Sequence, residues 1–223
     1  MKKYVIIVAG GSGNRMDVSI PKQFIPIAEK PILMHTIFAF HDYLPQIKIV
    51  LVLPKIHISS WNKLCDEYNF SIQHEIIEGG KTRFHSVKNG LALIPKDCIV
   101  AIHDGARPLV SKSSISNCFN TAEKFGNAIP VIPINESVRE IDKNLNKFVD
   151  RKNLRIVQTP QCFKSSIIKK AYEQDYNERF NDDASVAESA GEKIHLVDGN
   201  SENIKITYPS DIKIANALLK NTL

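Results

Sequence analysis

Two clusters in this chain of 223 residues combine small and charged side chains in a way that suits phosphate chemistry. The first is Ala9-Gly10-Gly11-Ser12-Gly13-Asn14-Arg15-Met16, followed by Pro21-Lys22-Gln23. Glycines let backbone N–H groups approach an anion closely and turn toward it, so Ala9 to Gly13 read as a cradle for a triphosphate. Arg15 and Lys22 set two fixed cations beside that turn, which suits a reaction that builds negative charge on phosphorus. The spacing is neither the dinucleotide fingerprint nor a Walker A sequence. The second cluster is Ile102-His103-Asp104-Gly105-Ala106-Arg107-Pro108. Asp104 offers the hard oxygen ligands that Mg²⁺ takes together with substrate phosphates, and Arg107 offers a grip on a second phosphate. The alternative for this segment is a turn in which Asp104 caps the following residues and pairs with Arg107.

Both clusters follow apolar runs, and that fixes where they must stand. Tyr4 to Ala9 is continuously apolar and β-branched, the pattern of a strand buried on both faces of a parallel sheet. Similar runs recur at Ile47 to Leu53, Ile99 to His103 and Ala128 to Ile134. Between them, helical spacing is found at Ile32 to Tyr43, Ser60 to Tyr68, Ser86 to Leu93 and Ser114 to Phe125. Strand and helix alternate, which predicts a three-layer α/β sandwich. Ligands in such open sheets bind at the carboxyl ends of the strands, where both clusters fall.

From Ser137 to Val157 the rhythm changes to charge-rich, alternating sequence around Lys143-Asn144, which predicts an exposed hairpin arm at about 136–157. The pattern leaves two readings of that arm open: a solvated surface hairpin, or an element that pairs with a partner subunit. Beyond it, helices are expected near Ser165 to Gln174 and Asp182 to Ser189, a strand at Lys193 to Val197 and a last helix from Pro209. Residues 1–223 read as one domain, without internal repeats.

Composition excludes several function classes. The chain is 43% hydrophobic, 24% charged and 8% aromatic, as expected of a globular protein that buries roughly 70% of its unfolded surface. Its net charge of +5 is scattered, which favours a small anionic ligand over a nucleic-acid track. Cys65, Cys98, Cys118 and Cys162 form no C-x-x-C pair and read as reduced thiols, and the first residues enter a strand with no leader pattern. No apolar run approaches the ~20 residues of a membrane helix. The expected location is the cytoplasm. The seven histidines show no paired-ligand spacing, so a zinc site is not expected, and His103 reads as a strand-end residue bonded to structure.

Taken together, the motifs resemble the cytidylyltransferases of the methylerythritol phosphate pathway. The likeness runs nearly end to end, through Ala9 to Met16, Pro21-Lys-Gln23, Gly79-Gly80 with Arg83 and Ser86, and His103 to Pro108. It continues through Asp150-Arg151, Gln158-Thr-Pro-Gln161, Asp183-Ala-Ser185, Asn203-Ile-Lys-Ile-Thr207 and Pro209-Ser-Asp211. The resemblance implies a nucleotidyltransferase (Rossmann-like) fold with a mixed, mostly parallel sheet and a protruding arm. It implies that Ala9, Gly10, Gly11, Ser12, Gly13, Gly80 and Ser86 line a CTP site, with Arg15 and Lys22 on the triphosphate. Asp104 would carry Mg²⁺ and border the acceptor, a sugar-alcohol phosphate surrounded by Arg107, Thr159 and Lys205. Ser137 and Arg151 would reach that acceptor from the other subunit's arm, making the protein a homodimer.

The implied reaction is direct attack by an acceptor phosphate oxygen on the α-phosphorus of CTP. A phosphate monoester has a second pKa of about 6 and needs no general base. Arg15, Lys22, Arg151 and Lys205 are then the charges that neutralise the transition state. Three positions depart from the family pattern: Lys81 where an acid is usual, Ile134-Asn-Glu-Ser137 in the arm, and Asn181 before the Asp-Asp-Ala-Ser run. Two rivals stay beside this reading, a ribitol 5-phosphate cytidylyltransferase and a catalytically silent nucleotide-binding regulator.

Overall fold

In the computed structural model, which describes residues 1–10, 20–143 and 145–220, the apolar runs become strands of an eight-stranded sheet. Strand β1 (Lys2–Val8) lies between β4 (Lys48–Leu53) and β6 (Cys98–Asp104) and is parallel to both, and β5 (Glu75–Glu78) adds to β4 in the same sense. On the other side, β11 (Gln161–Lys164) is antiparallel to β6 and to β7 (Asn127–Pro133). Strands β10 (Arg155–Val157) and β12 (Leu196–Asp198) also pair with β7. A small hairpin of β2 (Pro26–Ile27) and β3 (Lys30–Pro31) follows the first loop. The sheet is mixed and mostly parallel, as expected.

Alternation along the strands builds the two flanking layers. Val5 and Ile7, Ile49 and Leu51, and Ile99 and Ala101 face α1 (Ile32–Tyr43), α2 (Lys55–Glu67) and α4 (Lys112–Phe125), where Phe40, Trp61 and Phe119 are fully buried. Ile6, Val50, Val52 and Ile102 face α3 (Arg83–Ala92), α5 (Ser165–Ala171) and α6 (Asp183–Ser189). Helix α7 (Pro209–Lys220) joins a smaller cluster of Ile27, Ile32, Ile206 and Ala215, which fastens the last part of the chain beside the first loop.

Local chemistry explains where boundaries differ from those read in the sequence. Helix α2 starts at Lys55 rather than Ser60 because Pro54, at φ −56°, suits helix entry. Helix α3 starts at Arg83 rather than Ser86 because the Thr82 side chain caps it by accepting from the His85 N–H. The strand expected from Lys193 begins at Leu196, since the Asn127 side chain takes the Lys193 carbonyl and the His195 N–H. Helix α5 ends at Ala171, three residues before Gln174. Strands β5, β10 and β11 were not expected; each has three or four residues, too few to display a period.

The arm is an antiparallel hairpin of β8 (Val138–Asp142) and β9 (Leu145–Val149), with Lys143 at a φ of 50° in its turn. Its apolar side chains lie on both faces, Ile141 and Phe148 on one and Leu145 on the other. They are 69%, 71% and 76% exposed.

The two candidate loops are held together at the sheet edge. The Gly105 N–H donates to the Val8 carbonyl at 2.9 Å, and Thr36 Oγ1 donates to the Gly105 carbonyl at 3.0 Å. A Cβ at Gly105 would stand 2.8 Å from Cβ of Ala9. Gly105→Ala is therefore expected to cost about 1–3 kcal/mol of stability by overpacking, seen as a lower urea midpoint at unchanged slope.

Candidate active site

The carboxyl end of β6 delivers Asp104 into a group of three cations, drawn from the start of α3, the loop after β6 and the segment before α7. Its Oδ2 is 3.0 Å from Lys205 Nζ and 3.3 Å from Arg107 Nε, and its Oδ1 is 3.5 Å from Arg83 Nε. Burial alone would raise the Asp104 pKa, but Arg83, Lys205 and Arg107 outweigh it and hold the carboxyl far below the usual carboxylate range. Asp104 is ionised at any working pH. Arg107 is fixed further by donating from Nη1 to the Asn203 carbonyl at 2.7 Å.

The loop carrying Lys205 docks by a bond from the Ile206 N–H to the Ala106 carbonyl. Lys22 Nζ then donates to the Ile206 carbonyl at 3.1 Å, so the two lysines implied by the resemblance meet on neighbouring residues. Gln23 returns the first loop to the sheet by donating to the Ala9 carbonyl at 2.8 Å. Lys205 remains 45% exposed in its side chain and can reach a ligand.

Beneath Asp104 a buried relay fixes its backbone. Thr159 Oγ1 accepts from the Asp104 N–H at 3.1 Å and lies 2.9 Å from His103 Nδ1, while His103 Nε2 lies 3.0 Å from the Arg107 carbonyl. A carbonyl can only accept, so Nε2 carries the proton and Nδ1 receives the Thr159 hydroxyl proton. Burial lowers the His103 pKa to about 4, in keeping with that neutral tautomer. Thr159, expected among the acceptor contacts, holds the Asp104 backbone and commits its hydroxyl proton to His103. His103 is bonded to structure, as expected.

Where the resemblance places the nucleotide, Ser86 Oγ accepts from the Gly80 N–H at 3.1 Å and donates to the Thr82 carbonyl at 2.9 Å. A Cβ on Gly80 would fall 2.3 Å from Cβ of His85, so only glycine permits this approach. Gly10 stands by the same serine, its virtual Cβ 3.9 Å from Ser86 Oγ. The structure thus brings Ala9, Gly10, Gly80 and Ser86 to one edge, next to Lys22, Asp104, Arg107, Thr159 and Lys205. Gly11, Ser12, Gly13 and Arg15 lie outside the described residues. Ser137 and Arg151 belong to the exposed arm, where Arg151 bonds the Asn135 carbonyl; among the described residues neither contacts the Asp104 group.

The donor set around Asp104 does not fit a metal held by the protein. One carboxylate faces three cationic groups, and among the described residues no cluster of three His, Cys, Asp or Glu side chains could hold an ion. A doubly charged ion there would meet Arg83, Arg107 and Lys205 together. Among the described residues the Asp104 carboxylate, expected from the sequence to carry Mg²⁺, is the counter-charge of a cationic cluster.

Arg83, Asp183 and Tyr172 had been given no role from the sequence. Arg83 forms a two-pronged pair with Asp183, Nη1 to Oδ1 at 3.0 Å and Nη2 to Oδ2 at 2.6 Å, and the Tyr172 hydroxyl donates to Oδ1 at 2.6 Å. Arg83 and Asp183 stood in recognised motifs, but residues 100 apart give no sequence sign of pairing.

A family model described as 2-C-methyl-D-erythritol 4-phosphate cytidylyltransferase matches residues 3–221. A curated protein of that name from Bacteroides thetaiotaomicron is 48% identical over 219 residues, covering 98% of this chain and 100% of the relative. Another from Azobacteroides pseudotrichonymphae is 51% identical over 221 residues, covering 98% and 99%. Among solved structures, 4-diphosphocytidyl-2C-methyl-D-erythritol synthase from Anaerococcus prevotii superposes with a TM-score of 0.83 at 27% identity, covering 98% of this chain and 96% of that one. The cytidylyltransferase of Thermus thermophilus gives 0.79 at 28%, covering 99% and 100%.

A neutral buried histidine makes the site acid-labile. The folded pKa of His103, about 4, lies below its ordinary 6.5, so its contribution is present above 6.5 and is lost as pH falls toward 4. Between about pH 7 and 5 it should remove about 2 kcal/mol from the unfolding free energy. His103→Asn should show a correspondingly shallower loss over that range in urea titrations, whatever its stability at neutral pH.

Proposed function

Since the chain belongs to the 2-C-methyl-D-erythritol 4-phosphate cytidylyltransferase family, we propose how its residues divide the work of that reaction. The enzyme transfers CMP from CTP to 2-C-methyl-D-erythritol 4-phosphate, releasing pyrophosphate, in isoprenoid biosynthesis. The observation that carries our assignment is the cluster of Lys22, Arg83, Arg107 and Lys205 around Asp104 and the Lys205–Ile206 segment.

An acceptor phosphate oxygen forms a bond to the α-phosphorus as the bond from that phosphorus to the α,β-bridging oxygen breaks, and pyrophosphate leaves with the electron pair. The acceptor is already dianionic near neutral pH, with a second pKa of about 6, so no side chain need remove a proton. What the site must do is bring two anions together and neutralise them. Arg107 and Lys205 take the acceptor phosphate, while Lys22, with Arg15 and the Ala9 to Gly13 turn, takes the triphosphate. Asp104 holds those cations at their places before substrate arrives, so little reorganisation is left for the moment of reaction. Gly80 and Ser86 border the nucleotide, their loop geometry set by the bond between them.

Cytidylyltransferases generally use a divalent cation. In our reading that ion is magnesium and travels on the nucleotide's phosphate oxygens. Ser137 and Arg151 serve the acceptor of a second protomer, an arrangement supported by the exposed apolar side chains of the arm. The location we assign is the cytoplasm. All four cysteines are free, and among the described residues no helix is long and apolar enough to cross a membrane.

Pyrophosphate release with CTP and Mg²⁺ tests the assignment. It should be strong with 2-C-methyl-D-erythritol 4-phosphate and weak with ribitol 5-phosphate; the reverse preference would move the acceptor, and release with neither would leave a nucleotide binder. Lys22→Ala and Lys205→Ala should each lower turnover by on the order of 10²–10³. A folded variant of either that keeps near-normal turnover contradicts its assigned role.

A further inference from the structure

Arg83 is the residue through which both halves of the site touch. It is the first residue of α3, directly after the Thr82 cap, on the turn of chain that carries Gly80 and Ser86. Its guanidinium leaves that loop and reaches Asp104 on the acceptor side. Two of its nitrogens are taken by Asp183, whose own side chain is wholly buried and held by the Tyr172 hydroxyl. Asp183 opens α6, which is fixed by the Asp182 capping box and by Gln161, whose Oε1 accepts from the Ala184 N–H at 2.8 Å. Phe84 stacks on Tyr172 with ring centres 4.7 Å apart, so the start of α3 and the partner of Asp183 are packed as one unit.

We propose that Arg83 is a positioning residue for CMP transfer, held by Asp183 and Tyr172 so that it sets the orientation of Asp104 and links it to the nucleotide loop. The inference rests on the transfer reading above and adds a residue to it. Three features point this way. The pair with Asp183 occupies Nη1 and Nη2 and fixes the guanidinium plane, so that the remaining Nε–H is aimed at Asp104. The contact with Asp104 is made to Oδ1, leaving Oδ2 for Lys205 and Arg107. Arg83 is also about a quarter exposed, against full burial for Asp183, so the network runs from the interior outward to the site edge.

Truncating Arg83 alone strands a buried carboxylate and can unfold the protein. The informative variant is the double replacement Arg83→Gln with Asp183→Asn, which removes both charges together; Arg83→Lys is its companion, keeping a charge for Asp183 but unable to span two carboxylates. Folding is checked by circular dichroism and thermal melting. Expected for both is a fall in kcat of at least tenfold with KM for CTP changed less than threefold. The crystal structure of the double variant is expected to show the Asp104 carboxylate turned away from Lys205, no longer within ion-pair distance. A folded double variant with kcat within threefold of the unchanged chain, or an Asp104 carboxylate left in place, overturns the proposal. The crystallographic result decides it even if the unchanged chain transfers CMP to no acceptor, an outcome that would count against the transfer reading instead.

Discussion

One ionised carboxylate lets four cationic side chains share a single edge of the sheet. Arg83, Arg107 and Lys205 all approach Asp104, and Lys22 stands one residue from Lys205 along the chain it contacts. Without the negative charge these groups would repel one another by a few kcal/mol at close range in a partly buried setting. With it they are preassembled, and in the reading proposed above an incoming phosphate exchanges one anionic partner for another. The same balance keeps the positive charge of this edge local, not spread along a surface.

Everything under Asp104 serves to keep that carboxylate where it is. The alternating side chains of β6 lock the strand between two helical layers, so its last residue has little freedom. Thr159 then fixes the Asp104 backbone, and His103 fixes the hydroxyl of Thr159. A neutral imidazole is essential to this arrangement, because a protonated ring would have no lone pair left to receive the threonine hydroxyl. Structure and chemistry are therefore coupled at one fully buried histidine.

The layer plan was legible in the sequence because strands buried on both faces read as unbroken β-branched runs, as Tyr4 to Ala9 and Ile47 to Leu53 did. Helix α1 matched its expected bounds since its apolar spacing begins right after Pro31. The short strands β5, β10 and β11 escaped notice because their place in the sheet is decided by neighbours far along the chain. Charges were legible one at a time but not in sum. Asp104 reads as a ligand for a hard cation or as the partner of Arg107 three residues on, while Arg83 and Lys205 reach it from segments far along the chain. Ser86 and Thr159, read as ligand contacts, also bond the loops that hold the site, which residue type alone does not reveal. Arg15 and Gly11 to Gly13 carry a large part of the phosphate reading and fall outside the described residues, so that part still stands on residue type and spacing.

The arm has a further property that follows from its being a lone two-stranded ribbon. Both long edges present unpaired backbone groups, the usual template for indiscriminate strand addition and aggregation. Arg139, Glu140, Asp142, Lys143 and Lys147 crowd those ten or so positions with charge of both signs, and Glu140 faces Lys147 across the ribbon at 3.0 Å. Such guarding makes edge-to-edge stacking costly while leaving Ile141, Leu145 and Phe148 available to a surface shaped to receive them. The ribbon can thus stay sticky in its side chains and inert in its backbone, which is what keeps a greasy protrusion compatible with a crowded solution.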